Sequence, residues 1–352
     1  MRWSSSSAMR SPPVVSPLTS PMKNTPDESM RPSSAFSRLE VSTVGKRALI
    51  IGVNGQDGAY LAKHLLELDY EVYGGGRRTS SGGSWRLDRL AIRERVIPIC
   101  MDVLDEGSVI RAIDHARPDE IYNLAAQGHV GDSWAVPSYT LSANSTGALN
   151  VFLHMGTAKV FQASTLSMFG NGPCPETGYD EDSPIRPADP YGASKAAAHH
   201  FAHLYRDRGR FIACGILGNH ESPLRQDTFV TQKIAKGVKR WMRTGLSFEL
   251  YNLTGKRDWG WAPEYVEAMH LMLQQNVPED FVIATGVEAS VGDFLKAAVG
   301  NVHSLVRICK VSNHDDDKSP RCFGNPAKAK SLLGWTPKTH WAEIARRMTE
   351  VA

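Results

Sequence analysis

A tyrosine and a lysine one helical turn apart are the residues of this 352-residue sequence whose spacing points most directly to chemistry. In the segment YGASK, Tyr191 and Lys195 stand at positions i and i+4 of an expected helix, so both side chains project from one face. A cation at that distance favours the phenolate, and we expect it to lower the pKa of Tyr191 so that the phenol takes a proton from a substrate hydroxyl as hydride leaves. Thr165, or alternatively Ser164, at the end of the preceding strand, would supply a third hydroxyl.

A glycine-rich segment upstream predicts a nucleotide cofactor. GVNGQDG places Gly52, Gly55 and Gly58 between an apolar strand and a helix. At such a turn a Cβ would hold a pyrophosphate away from the backbone N–H groups and from the positive end of the helix. Because the motif follows a strand and opens a helix within a βαβ unit, it predicts dinucleotide binding rather than an ordinary glycine loop.

The end of the second strand indicates which dinucleotide is bound. An enzyme that uses NAD usually has an acid there for the ribose 2′-hydroxyl, whereas this sequence reads GGGRRTSS. Arg77 and Arg78 would bind a 2′-phosphate, so we predict NADP, with a solvated basic turn as the alternative. Since ligands bind at the carboxyl ends of parallel strands, Asp102 and Val103 should meet the adenine and residues 123–127 the nicotinamide.

These residues need a framework of alternating strands and helices, and the sequence from residue 46 has that pattern. It runs through KRALII, AYLAKHLLELDY, EVYGGG, RVIPICMD, EGSVIRAIDHA, EIYNLAA, SYTLSANSTGALNVFLHM, KVFQAST, YGASKAAAHHFAHLYRD and FIACGILG. The alternation predicts an α/β fold with a doubly wound parallel sheet. The pattern loosens after about Asn219, so we expect an NADP-binding domain over residues 46–218 and a smaller C-terminal substrate lobe over residues 219–352, partly interleaved with it.

Composition excludes several classes of protein. Residues 1–45 are dominated by Ser, Pro, Met and Arg without amphipathic period, which predicts a disordered tail, with a targeting peptide as the alternative. A net charge of +3 with scattered basic residues favours neither a nucleic-acid nor a membrane partner, and no apolar run approaches the roughly 20 residues that span a bilayer. Five cysteines without CxxC or Cys/His metal spacing predict free thiols, no metal and a cytoplasmic location.

Several segments together resemble the extended short-chain dehydrogenase/reductases and, within them, the GDP-mannose 4,6-dehydratases. The segments are GVNGQDGAYLA, NLAAQ, QAST, DPYGASK, GILGNHESPLR, FVTQKI and KRDWGWAPEYVEAM. The resemblance implies a Rossmann-type fold, NADP as cofactor, GDP-mannose as the nucleotide-sugar substrate and a homo-oligomer, either dimer or tetramer. Enzymes of that family oxidise the sugar at C4, remove a C5 proton, eliminate water from C6 and return the hydride to C6.

The resemblance also implies roles for individual residues. Beside the glycines and arginines above, the cofactor site would include Gln56, Asp57, Asp102, Leu124, Ala125, Ala126, Gln127, Tyr139, Lys195, His220 and Arg225. Ser80 and Ser81 would lie with Arg77 near the 2′-phosphate and a subunit interface. Asn219, Lys233 and Arg257 would face the substrate, the two cations suiting its diphosphate. For His220 and Asp258, ordinary structural hydrogen bonding is the alternative.

The resemblance fails at the position of the C5 base. The family reads STSE, with the Glu as base, and this sequence reads STLS, which puts Ser167 there. Glu176 and the acids of DEDSP follow, but nothing in the sequence brings them to the site. A serine hydroxyl without an activating neighbour is a poor base, and a positioned base contributes about 10²–10⁴-fold, so we expect weakened dehydration. The alternatives are a nucleotide-sugar reductase or epimerase without elimination, and a non-catalytic NADP-binding homologue.

Overall fold

A parallel sheet of seven strands forms the centre of the fold. The computed structural model describes residues 45–78, 83–170, 172–300, 308–311 and 322–351, so the expected tail up to residue 44, together with Ser80 and Ser81, lies outside the described residues. The strands in chain order are β1 (Arg47–Ile51), β2 (Glu71–Gly76), β3 (Ile97–Cys100), β4 (Glu120–Asn123), β5 (Lys159–Thr165), β6 (Ile212–Leu217), β7 (Asn219–Glu221), β8 (Phe248–Leu250), β9 (Lys256–Trp261), β10 (Asp280–Ile283), β11 (Glu288–Ser290) and β12 (Cys309–Val311).

The order of strands across the central sheet is β10-β6-β5-β4-β1-β2-β3, and every pair is parallel. The prediction of a doubly wound sheet is confirmed. Strands β1 to β3 are added towards one edge of the sheet, and β4 and the later strands towards the other edge, so the strand order reverses between β1 and β4. In such sheets, ligands bind beyond the carboxyl ends of the strands at that point.

Helices cover both faces of this sheet. The helices in chain order are α1 (Gln56–Glu67), α2 (Trp85–Arg89), α3 (Glu106–Ala116), α4 (Val130–Ala135), α5 (Pro137–Leu141), α6 (Gly147–His154), α7 (Pro190–Arg206), α8 (Val230–Thr244), α9 (Ala262–Leu273), α10 (Val291–Val299) and α11 (Trp341–Val351). Helices α1 and α9 lie on one face, and α3, α6 and α7 lie on the other. In the part of the chain that the structure describes, none of the helices has the length and apolar character that crossing a membrane requires.

Strand β1 shows why both faces must be covered. Its side chains alternate between two cores: Ala48 and Ile50 belong to the core with α1 and α9, and Leu49 and Ile51 to the core with α3, α6 and α7. A strand buried on both faces reads as a continuous apolar run, as RALII does.

Residues after β6 build a third core and also complete the central sheet. Side chains of α8, α10 and α11 pack with β8 and β9 around buried Trp259 and Phe294. Two smaller sheets, β11-β9-β7 and β12-β8, belong to this part, whereas β10 returns to pair with β6. The described residues fall in one unit, and the domain boundary between residues 218 and 219 stays a prediction.

Candidate active site

The turn between β1 and α1 brings three backbone segments into close approach. Gly52 has a φ of +93°, and a Cβ there would lie 3.0 Å from the backbone nitrogen of Ala125. A Cβ on Gly58 would come within 2.4 Å of the Gly52 carbonyl oxygen. Gly55 precedes α1, and among the described residues no side chain caps this helix, so its first N–H groups can donate to an anion.

A cavity of about 300 Å³, here called the glycine cavity, opens in front of this turn. The predicted cofactor residues that line it are Gly52, Gly55, Arg77, Asp102, Val103, Leu124, Ala125, Ala126 and Tyr139. Arg77 Nη1 donates to the hydroxyl of Tyr139 at 2.9 Å. Arg78 lines an adjoining depression that it shares with Arg77 and Arg93. A backbone cradle that a Cβ would fill, with cations at its edge, fits a dinucleotide phosphate.

A second cavity, of about 260 Å³ and here called the Tyr191 cavity, shares Leu124 and Ala126 with the first. Its lining includes Asp57, Thr165, Ser167, Tyr191, Lys195, Asn219, His220 and Arg225. Helix α7 begins beside it because Asp189 Oδ1 accepts from the backbone of Gly192 at 2.7 Å and Pro190 occupies the first turn. A Cβ on Gly192 would lie 2.6 Å from the Ser167 carbonyl oxygen, so glycine lets α7 approach the turn after β5.

Burial dominates the electrostatics of the two central side chains. It raises the pKa of Tyr191, against which a hydrogen bond with Thr165 and the charge of Arg225 act. It lowers the pKa of Lys195 to about 8, and Lys195 Nζ donates to the carbonyl of Ala163 at 2.8 Å. The lowered pKa that the sequence predicts for Tyr191 is therefore not found in this structure, because burial outweighs the groups that favour the phenolate.

An ion pair joins the start of α1 to the NHES segment. His220 Nε2 lies 3.0 Å from Asp57 Oδ2. Burial alone would raise the pKa of Asp57, but the charge and hydrogen bonding of His220 prevail and lower it to about 2. Gln56 Nε2 donates to the carbonyl of His220 at 3.1 Å, and Ser222 Oγ donates to Gln56 Oε1 at 2.8 Å. Sequence analysis placed His220 and Asp57 near the cofactor but gave no signal that they pair.

A third cavity, of about 330 Å³ and here called the Arg257 cavity, brings together the predicted substrate residues. Asn219 comes from β7, Lys233 from α8 and Arg257 from β9, and Asn219 also lines the Tyr191 cavity. The neighbouring Asp258 is buried and accepts from the hydroxyl of Thr285 at 2.6 Å and from the backbone of residues 285 and 286. These contacts favour the structural alternative for Asp258.

Three predicted cofactor residues stand behind these cavities. Gln127 is not among the lining residues: its backbone N–H donates to Asn144 Oδ1 at 2.8 Å and its side chain donates to the carbonyl of His129 at 3.0 Å. Gln56 and Gly58 likewise support the glycine turn from behind. Their assignment to the cofactor site stays a prediction.

Comparison with known proteins gives the family. The model of the family described as GDP-mannose 4,6 dehydratase matches residues 49–348. The Arabidopsis thaliana protein named GDP-mannose 4,6 dehydratase 1 is 39% identical over 330 residues, which cover 87% of this chain and 89% of that protein. The chain belongs to the GDP-mannose 4,6-dehydratase family.

Solved structures agree on the fold. UDP-glucose 4-epimerase of Thermus thermophilus, in complex with NAD, has a TM-score of 0.74 at 25% identity and covers 87% of this chain and 98% of its own. The Pseudomonas aeruginosa protein RMD, complexed with NADPH, has a TM-score of 0.71 at 19% identity, covering 87% and 97%.

Within the described parts of this dehydratase-family chain, the lining of the Tyr191 cavity offers no unpaired carboxylate. Among the described residues that line it, Asp57 is the only acid, and it is paired with His220. Ser167 lines the cavity where the resemblance places the base. The downstream acids do not reach it: Glu176 and the DEDSP acids are absent from its lining, and Glu181 Oε1 accepts from the backbone of Val282 at 2.7 Å.

Proposed function

We propose that this protein is a GDP-mannose 4,6-dehydratase, a lyase that uses NADP to convert GDP-mannose to GDP-4-keto-6-deoxymannose, with its elimination step weakened at C5. The observation that carries the proposal is that the three cavities lie in a row, each sharing lining residues with the next. The glycine cavity adjoins the Tyr191 cavity through Leu124 and Ala126, and that cavity adjoins the cationic Arg257 cavity through Asn219. Tyr191 and Lys195 thus lie between a dinucleotide cradle and a diphosphate site.

A nicotinamide cofactor is supported by the glycine cradle and by neighbours solved with NAD or NADPH. Bound there, it would accept and return hydride. Arg77 and Arg78 favour NADP because a guanidinium forms bidentate, charge-assisted bonds to a phosphate. Arg257 suits the substrate diphosphate for the same reason, and Lys233 adds a second positive charge in the same cavity.

The protein's own groups would move the protons. As the phenolate, Tyr191 would take the proton of the C4 hydroxyl, and Thr165, which lines the same cavity, would orient that hydroxyl. Lys195 is buried in the wall of the same cavity, and its charge would stabilise the phenolate. Ser167 then faces C5 with a hydroxyl that is not deprotonated near neutral pH, so C5 deprotonation limits the rate.

A second candidate function follows from the missing carboxylate. Oxidation and reduction at C4 need Thr165, Tyr191 and Lys195 but no C5 base, so a nucleotide-sugar reductase or epimerase fits the described lining equally well. We also propose a cytoplasmic homo-oligomer, on the cysteine usage and the resemblance.

Mass spectrometry of GDP-mannose incubated with the purified full-length protein and NADP tests the proposal. A slowly formed product lighter by one water is expected. An isomer of GDP-mannose that has the same mass but separates on chromatography, or a C4-oxidised sugar formed together with stoichiometric NADPH, would favour the second candidate. Binding of NADP without any conversion would overturn both and leave a non-catalytic homologue.

A further inference from the structure

Two histidines and a carboxylate meet on the part of α7 that follows Lys195. His199 and His203 stand at i and i+4, so both project from the same face of the helix. His203 Nε2 lies 2.6 Å from Asp280 Oδ2, at the start of β10, and His199 Nε2 lies 3.6 Å from the same oxygen. The three candidate ligand atoms all lie within 4.8 Å of one another.

This donor set and spacing fit a small transition-metal ion. Zn²⁺ prefers imidazole nitrogen and carboxylate oxygen at about 2.0–2.2 Å, which puts neighbouring ligand atoms of a tetrahedral site roughly 3.3–3.6 Å apart. The His199–Asp280 distance of 3.6 Å already matches. The 2.6 Å His203–Asp280 contact must open, and His203 can swing because 43% of its side chain is exposed.

A second observation concerns the other nitrogen of the buried histidine. His199 Nδ1 lies 3.0 Å from Ser164 Oγ, and His199 is 3% exposed. When Nδ1 carries the proton and donates to Ser164, the lone pair of Nε2 faces Asp280. A metal-binding histidine is usually oriented by such a hydrogen bond on its second nitrogen.

The charged groups around the three candidate ligands limit their affinity for a metal ion. Arg206 donates to Asp280 Oδ1 and leaves Oδ2 to the histidines, but its positive charge opposes a cation. Cys214 and Glu279 lie near Arg206, and the exposed His200 follows His199 in the sequence. Arg206 is thus the natural competitor of a metal ion for Asp280.

We propose that His199, His203 and Asp280 form a Zn²⁺ site, with its fourth position open to water, that ties α7 to β10. The site does not depend on the proposed function. The lack of CxxC and Cys/His spacing led to the prediction of no metal. The overlooked signal is the His-x-x-x-His spacing of HHFAH, and the third ligand comes from 77 positions beyond His203.

Calorimetric titration of the untagged, EDTA-stripped full-length protein with ZnCl₂ tests the site. We expect one ion per chain, and Co²⁺ bound in its place should show visible d–d absorption. His203→Ala should weaken binding by more than about tenfold, since loss of even an outer partner of a metal ligand costs about 10–100-fold. His200→Ala, an exposed neighbour on the same helix, is the matched control and should bind as the wild type does.

Arg206→Gln separates a metal site from an ion-pair network. If the cluster binds metal, removing the competing cation should leave Zn²⁺ binding as tight or tighter. Zn²⁺ at 100 times its Kd should also shift the folding equilibrium of the wild type about 100-fold, seen as a higher melting temperature. Absence of stoichiometric binding in the wild type, equal losses in His200→Ala and His203→Ala, or abolished binding in Arg206→Gln would each overturn the proposal.

Discussion

The glycine cavity and the Tyr191 cavity adjoin each other, yet they tolerate change differently. The glycine cavity depends on the backbone of its turn, since a Cβ at any of the three motif glycines would meet backbone atoms within 3.2 Å. The Tyr191 cavity depends on individual side chains, and Ser167 stands in it where the resemblance implies a glutamate. Cofactor binding and C4 oxidation can therefore survive where elimination fails.

The strongest test of this separation is Tyr191→Phe. Removing the phenol oxygen should lower all conversion of GDP-mannose by about 10²–10⁴-fold, the usual contribution of a positioned acid–base group. NADP affinity, measured by calorimetry, should stay within a fewfold of the wild type because the glycine cavity is unchanged. Tyr205→Phe, on the same helix but outside the cavity, is the control. Full turnover in Tyr191→Phe would remove this residue from the mechanism.

Ser167→Glu tests the missing base. A carboxylate at this position should raise the rate of water loss by up to about 10²–10⁴-fold, with NADP affinity nearly unchanged. Ser167→Gln introduces a side chain of the same size as glutamate but without a basic carboxylate, and it should not raise the rate of water loss. The readout is the mass of the product formed by each variant. If the wild type dehydrates rapidly and Ser167→Glu slows it, another residue is the base.

The features that the sequence predicted correctly are the local ones, and those that it missed depend on tertiary packing. The glycine turn was predicted because its constraints are local, between residues a few positions apart. The place of β10 beside β6 and the contact of Gln56 with the His220 carbonyl, 164 positions away, depend on tertiary packing that no local pattern encodes. The shifts at Tyr191 and Lys195 were missed for a related reason, since burial is a property of the folded chain.

Arg77→Ala tests the cofactor specificity of the glycine cavity. If Arg77 binds the 2′-phosphate, its loss should weaken NADP by about 10–100-fold, the worth of a charge-assisted hydrogen bond, and leave NAD affinity nearly unchanged. Arg111→Ala, at an exposed ion pair on α3, is the control. Calorimetric affinities for both dinucleotides give the result, and equal wild-type affinities for NADP and NAD would contradict the assignment.

The smallest expected effect lies at the Asp57–His220 pair in the wall of the Tyr191 cavity. The folded pKa of Asp57, about 2, is below its ordinary value of 3.8, so the unfolded chain binds more protons between these values and stability is lost as pH falls through about 4 to 2. The folded pKa of His220 is raised above 6.5, because Asp57 outweighs the burial that would lower it. The stability that His220 contributes is therefore present below pH 6.5 and lost as pH rises through its folded pKa.

Asp57→Asn should lower the unfolding free energy by about 1–2 kcal/mol near pH 5 and flatten the dependence of stability on pH on both sides of that value. Urea midpoints at pH 3, 5 and 8 would show this, with Asp105→Asn, at an exposed ion pair, as control. A profile for Asp57→Asn that runs parallel to the wild type would mean that the pair does not hold the start of α1 to β7.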